Sequence, residues 1–107
     1  MPRFLDLPGC ARPASIATSR GTFAAHIADP PESAGAGFGP AVLVPGFTGS
    51  KEDFIGILEP LARRGCRVVA IDPRGHYETP GPADEAGYAI DELADDLVAV
   101  LEAVAKT

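Results

Sequence analysis

Residues 41–50 read Ala-Val-Leu-Val-Pro-Gly-Phe-Thr-Gly-Ser, and residues 68–76 read Val-Val-Ala-Ile-Asp-Pro-Arg-Gly-His. Each stretch begins with four apolar residues and then changes abruptly into a turn that contains Pro and Gly. Short apolar runs bounded in this way are typical of strands that are buried on both faces of a parallel sheet. Because sites in such sheets lie where the carboxyl ends of the strands meet their loops, we expect the functional residues in these two turns.

The composition of the chain limits the kinds of partner that it can bind. The chain has 107 residues, of which 46% are hydrophobic and 22% charged, and its net charge is −6. This composition indicates one folded domain, and the acidic balance argues against nucleic acid, whose phosphates require a surface rich in Lys and Arg. No stretch approaches the roughly 18 apolar residues that cross a membrane. Two cysteines, Cys10 and Cys66, form no disulfide framework, so we expect a cytoplasmic protein.

The periodicity of the apolar residues predicts four strands and two helices. Strands are expected at about 14–19, 22–28, 40–45 and 67–72, and helices at about 51–64 and 89–105. The first two strands form a hairpin joined by Arg20-Gly21, and His26 is expected to be half-exposed on the second. Ser50 and Asp53 match a capping box at the start of the first helix, and Pro60 predicts a break within that helix.

The final helix carries two opposed faces. An apolar stripe at three- and four-residue steps is expected to face the sheet and comprises Ile90, Leu93, Ala94, Leu97, Leu101 and Val104. The acidic residues of the other face are Asp91, Glu92, Asp95, Asp96 and Glu102. We interpret them as a solvated helix face, and we expect neither a metal nor a cofactor.

Two glycine-containing segments have the wrong geometry for a nucleotide site. Gly35 to Gly39 precede a predicted strand, whereas a dinucleotide fingerprint follows a strand and opens a helix. Gly49-Ser50-Lys51 differs from a phosphate loop because Ser50 separates the glycine from the lysine. A nucleotide-binding domain therefore stays only a third hypothesis, and we expect no binding of ATP or NAD.

The two turns resemble the loops after the third and fourth strands of the α/β-hydrolase fold family. That family usually places His-Gly-x after the third strand and Asp-x-Arg-Gly-His-Gly-x-Ser after the fourth. The resemblance covers nearly the whole chain and implies an α/β fold, in which an antiparallel hairpin leads into parallel strands flanked by helices. It also implies that the chain is the N-terminal part of such a fold, ending one strand before the G-x-S-x-G elbow. The sequence departs from the family pattern at Pro45, Tyr77 and Thr79, where His, Gly and Ser are usual.

The resemblance implies a role for each turn. In the family, a main-chain N–H in the first turn stabilises the negative charge on a reacting carbonyl oxygen, and here that donor is the N–H of Phe47. Gly46 allows the sharp turn, and Thr48 would support the loop. In the second turn, the residues that would shape the floor of the pocket and hold the first turn in place are Asp72, Arg74, Gly75 and His76.

The resemblance implies that the catalytic nucleophile, acid and base lie beyond Thr107, so we expect no catalytic residue within the chain. None of Ser15, Ser19, Ser33 and Ser50 has glycine both two residues before and two residues after it. The leading hypothesis is a partial esterase-like hydrolase of small acyl or ester substrates that is inactive alone; an aspartate nucleophile would instead mean epoxide hydrolase or dehalogenase chemistry. The alternative is a non-catalytic module completed by a partner chain, or self-associating through the exposed edge of the third strand.

Overall fold

The computed structural model describes residues 7–32, 39–46, 49–75, 79, 81 and 90–105. Its strands are β1 (Ala11–Thr18), β2 (Gly21–Ala28), β3 (Gly39–Leu43) and β4 (Cys66–Ile71). Its helices are a 3-10 turn (Lys51–Phe54), α1 (Ile55–Arg63) and α2 (Ile90–Ala105). Neither of the two described α-helices is long and apolar enough to cross a membrane.

The four strands form one mixed sheet in the order β1-β2-β4-β3. β2 is antiparallel to both β1 and β4, whereas β3 runs parallel to β4 with Val42 opposite Val69. The predicted fold class is thereby confirmed, because an antiparallel hairpin leads into parallel strands flanked by helices. β3 is an outer strand, with no neighbour on its far side among the residues that the structure describes.

The hairpin differs in detail from its prediction. β1 begins at Ala11 rather than near residue 14, and the turn consists of Ser19 and Arg20 rather than Arg20-Gly21. Pro13 lies inside β1, opposite His26. Proline lacks a main-chain N–H, and an outer strand such as β1 tolerates this loss because only one of its sides is hydrogen-bonded.

Two apolar clusters lie on opposite faces of the sheet and meet at β4, whose last four residues are all buried. The cluster beneath α2 comprises Phe23, Ala25, Ile27, Val69, Ile71, Val100 and Val104. The cluster beneath α1 comprises Ala28, Leu58, Ala62, Val68 and Ala70. Successive residues of β4 thus enter different clusters, which explains why its sequence is continuously apolar rather than alternating.

The predicted break near Pro60 was wrong. The chain changes from 3-10 to α geometry at Ile55, and α1 then continues through Pro60 to Arg63. Proline inside a helix costs about 3 kcal/mol. Leu58 and Ala62 flank it and are almost completely buried against the sheet. The burial of these side chains offsets the missing hydrogen bond, while Pro60 itself is exposed.

The predicted orientation of α2 was also largely wrong. Val100 and Val104 are buried as part of the core, but Ile90 and Leu101 of the predicted stripe are 82% and 47% exposed. Asp96, assigned to the solvated face, is only 5% exposed. The helix is therefore rotated about its axis relative to the prediction, and an ion-pair cluster described below accounts for the rotation.

Candidate active site at the ends of β3 and β4

Parallel pairing brings the carboxyl ends of β3 and β4, and hence both predicted turns, to the same edge of the sheet. After β3 the chain passes through Pro45 and Gly46, and the amide of Gly49 donates a hydrogen bond of 2.9 Å to the carbonyl oxygen of Gly46. The predicted site residues Phe47, Thr48 and His76 lie outside the described residues. The oxyanion role predicted for the Phe47 N–H therefore stays a prediction.

Asp72, the first residue after β4, connects the two turns. Its carboxylate is fully buried and accepts two hydrogen bonds from Lys51. The main-chain amide of Lys51 lies 2.7 Å from Oδ1, and the side-chain ammonium lies 2.8 Å from Oδ2. The main chain of Asp72 in turn donates to the carbonyl oxygen of Ala24 on β2, at 3.0 Å. Asp72 therefore joins β2, the end of β4 and the end of the loop that follows β3.

A second carboxylate extends this cluster toward β2. Glu52 Oε2 lies 3.4 Å from the ammonium of Lys51 and 3.3 Å from Nε2 of His26. His26 was predicted to be half-exposed, but it is only 5% exposed, so that prediction was wrong. The reason is that the 3-10 turn bearing Glu52 lies over the face of β2 from which the His26 side chain projects. We call Lys51, Asp72, Glu52 and His26 the lysine cluster.

Ser50 caps the 3-10 turn, as the sequence predicts. Its hydroxyl accepts from the amide of Glu52 at 3.2 Å, and its own amide faces Oδ2 of Asp53 at 3.4 Å. Both halves of the capping box are thus present. A serine held in this way has a structural task, which agrees with its not being assigned as the nucleophile.

Gly49 lies against this cap so closely that a side chain has no room. A Cβ atom placed on it would collide with the Asp53 carboxylate and lie 3.0 Å from Cβ of Pro45. A larger residue at this position would therefore have to displace the Asp53 side chain from the helix cap.

On the α2 side of the sheet, Asp96 is held by two arginines. Arg74 donates to it from Nε at 2.5 Å and from a terminal nitrogen at 2.6 Å, and Arg20 donates from Nε at 2.7 Å. Burial alone would raise the pKa of Asp96, but the hydrogen bonds from Arg74 and Arg20 outweigh it and hold that pKa below its usual value. Arg20 also pairs with Glu92 at 2.6 Å. We call Arg20, Arg74, Glu92 and Asp96 the arginine cluster.

The arginine cluster explains why Asp96 faces inward. Arg20 comes from the β1–β2 turn and Arg74 from the loop after β4, so both cations reach α2 from the sheet side. The Asp96 carboxylate can stay buried there because two guanidinium groups balance its charge at close range. Arg74 of the second turn thus pairs with a carboxylate of α2.

The remaining described residues of the second loop have structural contacts. Gly75 is exposed and has a positive φ of 73°, a conformation that residues with a Cβ atom rarely adopt. The Thr79 hydroxyl is buried and accepts a 2.9 Å hydrogen bond from the amide of Ala24. Both Thr79 and Asp72 thus bond the main chain of the same β2 residue.

A cavity of about 420 Å³ opens between the two turns and α2. Its lining is almost entirely apolar and includes Val44, Pro45, Ile71, Pro73, Leu93 and Leu97. A space of this size and polarity suits the apolar part of a small molecule or the apolar side chains of another segment. Among the described residues, no group of three or more His, Cys, Asp or Glu is arranged to hold a metal ion.

The sequence reasoning did not identify the lysine cluster. The comparison of Gly49-Ser50-Lys51 with a phosphate loop does not predict the contact between Lys51 and Asp72. One signal was available, because Lys51 follows a helix cap and Asp72 follows a buried strand, both at the same expected edge of the sheet. Pairing across that edge could have been predicted, although the inclusion of His26 could not.

The close approach at Gly49 can be tested by a pair of matched substitutions. We expect Gly49→Ala to displace Asp53 from the cap and to lower the free energy of unfolding by about 0.5–2 kcal/mol. Gly56→Ala is the control, since a Cβ there meets nothing within 4 Å. It should raise the free energy of unfolding by about 0.4–1 kcal/mol, as glycine-to-alanine changes do in compatible helical positions. Urea unfolding measures both, and equal effects of the same sign would contradict the proposed crowding.

The arginine cluster predicts a pH-dependent contribution to stability. The pKa of Asp96 is lower in the folded chain than the ordinary aspartate value of 3.8. Its contribution to the free energy of unfolding is therefore complete above about pH 4 and is lost as the pH falls through the folded pKa. We expect Asp96→Asn to lower the free energy of unfolding by roughly 2 kcal/mol at pH 7. The difference from the original chain should shrink between pH 4 and about pH 2, as followed by thermal unfolding. Glu92→Gln, at a more exposed site, should have a smaller effect. A difference that does not vary with pH would refute the assignment.

Comparison with known proteins agrees with this architecture. The family model described as alpha/beta hydrolase fold matches residues 39–106. The chain is 43% identical over 68 residues to a protein named "Putative carbamate hydrolase RutD" from Variovorax paradoxus (strain S110), a match covering 63% of this chain and 25% of that protein. It is 36% identical over 63 residues to "2-heptyl-3-hydroxy-4-quinolone dioxygenase AqdC1" from Rhodococcus erythropolis, covering 59% of this chain and 22% of that protein.

A solved structure extends the similarity to the N-terminal hairpin. An epoxide hydrolase from an endophytic Streptomyces superposes with a TM-score of 0.76 at 26% identity, and the match covers 92% of this chain and 28% of that one. The chain thus spans about a quarter of the length of the relatives that it matches. Since the family model covers well over half of the residues, and the mixed sheet flanked by helices agrees with it, this chain belongs to the α/β-hydrolase fold family.

Proposed function

We propose that this chain is the N-terminal part of an α/β-hydrolase that acts on small acyl or ester substrates. In this proposal the loop after β3 supplies an oxyanion-hole donor, the main-chain N–H of Phe47, and the loop after β4 holds that loop in place. The chain supplies no nucleophile, acid or base and is inactive alone. The two free cysteines suit a reducing compartment, and we propose the cytoplasm.

The observation that carries the proposal is the connection between the two strand-end turns. β3 and β4 are parallel, and the buried Asp72–Lys51 pair joins the loop after one to the end of the other. A main-chain donor stabilises a developing oxyanion only if it is held rigidly in a site that excludes water. The described flanks of the loop support a rigid placement, because the Gly49 amide donates to the Gly46 carbonyl oxygen and Gly49 packs on the helix cap.

The apolar cavity supports the substrate class. It lies beside Pro45 and Gly46 and could hold the apolar part of an acyl substrate. The relatives are named for carbamate hydrolysis and epoxide hydrolysis, so their names point to different reacting bonds. We favour ester bonds because main-chain donors suit the tetrahedral oxyanion of acyl transfer.

A chimaeric protein tests the function. Residues 1–107 are fused to the C-terminal part of the Variovorax relative, starting where its match to this chain ends. We expect the chimaera to hydrolyse p-nitrophenyl esters, and the isolated chain to show no turnover above background. A carbamate is assayed in parallel, because the C-terminal part comes from a protein named for carbamate hydrolysis, and a folded chimaera that hydrolyses neither bond would overturn the proposal.

Two substitutions at one position test the main-chain donor. Phe47→Pro removes the N–H and should lower kcat of the chimaera by about 10²–10³-fold, whereas Phe47→Ala keeps the N–H and most of the activity. Circular dichroism verifies that both variants fold. Equal activity of the two folded variants would exclude the Phe47 amide as the donor.

A second candidate function is a non-catalytic module completed by a partner chain, and the exposed surface favours it. β3 is an outer strand whose far side is paired with none of the residues that the structure describes, and Val44 beyond its end is 44% exposed. On α2, Ile90 lines the apolar cavity and is 82% exposed, and Leu101 is 47% exposed. An apolar face beside an unpaired strand marks a surface that another strand and helix could cover.

Self-association of the isolated chain tests this surface. We expect the chain to form dimers or larger species at micromolar concentration, and Ile90→Lys to shift it toward monomer. Ile57→Lys is the matched control, because Ile57 is 45% exposed on α1, which packs on the opposite face of the sheet. Size-exclusion chromatography with light scattering provides the measurement. A monomeric chain at every concentration would exclude association through this surface.

A further inference from the structure

Lys51 is a buried cation that takes no direct part in the proposed chemistry. Its exposed fraction is 1%, and lysine is almost never so deeply buried unless its charge is paired. The residue lies directly after the helix cap, at the point where the loop following β3 enters the 3-10 turn. Its side chain therefore runs from the end of that loop into the interior.

Lys51 contacts one carboxylate in two ways. Any residue could donate the main-chain hydrogen bond to Asp72 Oδ1, but only the lysine side chain adds the ammonium on Oδ2. Because Asp72 is fully buried, removing the ammonium would leave a charge without its counterion, which is far more costly than losing a neutral hydrogen bond. The side chain thus fixes the distance between the loop end and the end of β4.

Glu52 contacts the same ammonium, and His26 in turn contacts Glu52. Glu52 Oε2 lies between the Lys51 ammonium and His26 Nε2, at 3.4 Å and 3.3 Å. The cluster therefore connects three parts of the chain, namely β2, the end of β4 and the 3-10 turn. A cation restrained from two directions has little freedom to move along the loop.

We propose that Lys51 is a positioning residue that holds Gly49 and Ser50, the end of the loop after β3, in register with the end of β4. The proposal rests on the proposed function, because this loop is the one to which an oxyanion donor is assigned. Lys51 itself does not touch substrate. It acts through Asp72, and the main chain of the loop is what it places.

Amide hydrogen exchange of the full chain, followed by NMR, tests this positioning without any catalysis. Lys51→Met should accelerate exchange of the Gly49 amide by at least about tenfold more than that of the Val69 amide in the centre of β4. Val104→Ala, in the apolar cluster under α2, is the control; by lowering global stability it should accelerate the Val69 amide at least as much as the Gly49 amide. Equal acceleration at the two amides in Lys51→Met would show a general loss of stability and overturn the proposal, as would no acceleration.

A double variant separates charge from shape. Asp72→Asn removes the buried negative charge, so Lys51→Met together with Asp72→Asn should accelerate Gly49 exchange less than Lys51→Met alone. Additive effects would contradict a positioning role through the ion pair. If Lys51→Met does not fold, Glu52→Gln takes its place and should accelerate Gly49 exchange selectively, to a smaller extent; no selective effect would overturn the proposal.

The chimaera distinguishes this inference from the proposed function. Lys51→Met should lower kcat more than it changes KM, because a displaced loop weakens binding of the transition state more than that of the substrate. Selective loosening of Gly49 with unchanged kcat would leave the positioning role in place and refute the oxyanion role of the loop. Loss of activity in Phe47→Pro, without selective acceleration of Gly49 exchange in Lys51→Met, would support the oxyanion role of the loop and refute the positioning role of Lys51.

Discussion

The buried carboxylate of Asp72 is the constraint on which this end of the molecule depends. A fully buried charge must be paired and hydrogen-bonded, and here one residue, Lys51, meets both needs with its amide and its ammonium. The consequence is geometric. The loop after β3 must return to the sheet at the end of β4, and the helix that follows must start there. The tight turn at Gly46 and the close packing of Gly49 on its cap are what this short path requires.

The same physical rule operates on the other face of the sheet, with arginine in place of lysine as the cation. There a carboxylate on α2, Asp96, is held by arginines from two sheet loops, and the guanidinium groups set the rotation of the helix. Helix rotation is normally decided by the apolar stripe, since each buried side chain contributes about 1.5–3 kcal/mol. In this chain part of the stripe is exposed instead, at Ile90 and Leu101. Such exposure is costly in water, and for this reason we propose that further protein covers this face.

The extent to which the sequence predicts this structure follows from the range of each interaction. Runs of apolar residues and the Ser50 cap are local patterns, and they correctly predicted the strands, their parallel pairing and the start of the helix. The failures involve partners distant along the chain. Asp96 faces inward because of Arg20, 76 residues away, and His26 is buried by the turn that carries Glu52. Pro60 stayed helical because tertiary packing outweighed local propensity. No window of sequence contains these contacts.

Family membership and reaction class are separate questions for this chain, and the lysine cluster shows why. The described residues at the strand ends, Asp72, Lys51 and Gly49, set the path of the main chain, and none of them is a free nucleophile or base. In the proposed function, this framework places N–H donors, and the residue brought opposite those donors decides which bond reacts. Relatives named for carbamate hydrolysis and for dioxygenation match 63% and 59% of this chain, as expected if this part supplies geometry and another supplies reactivity. Because the ion pair fixes the geometry and not the reacting bond, its loss should impair the reaction whichever bond is broken.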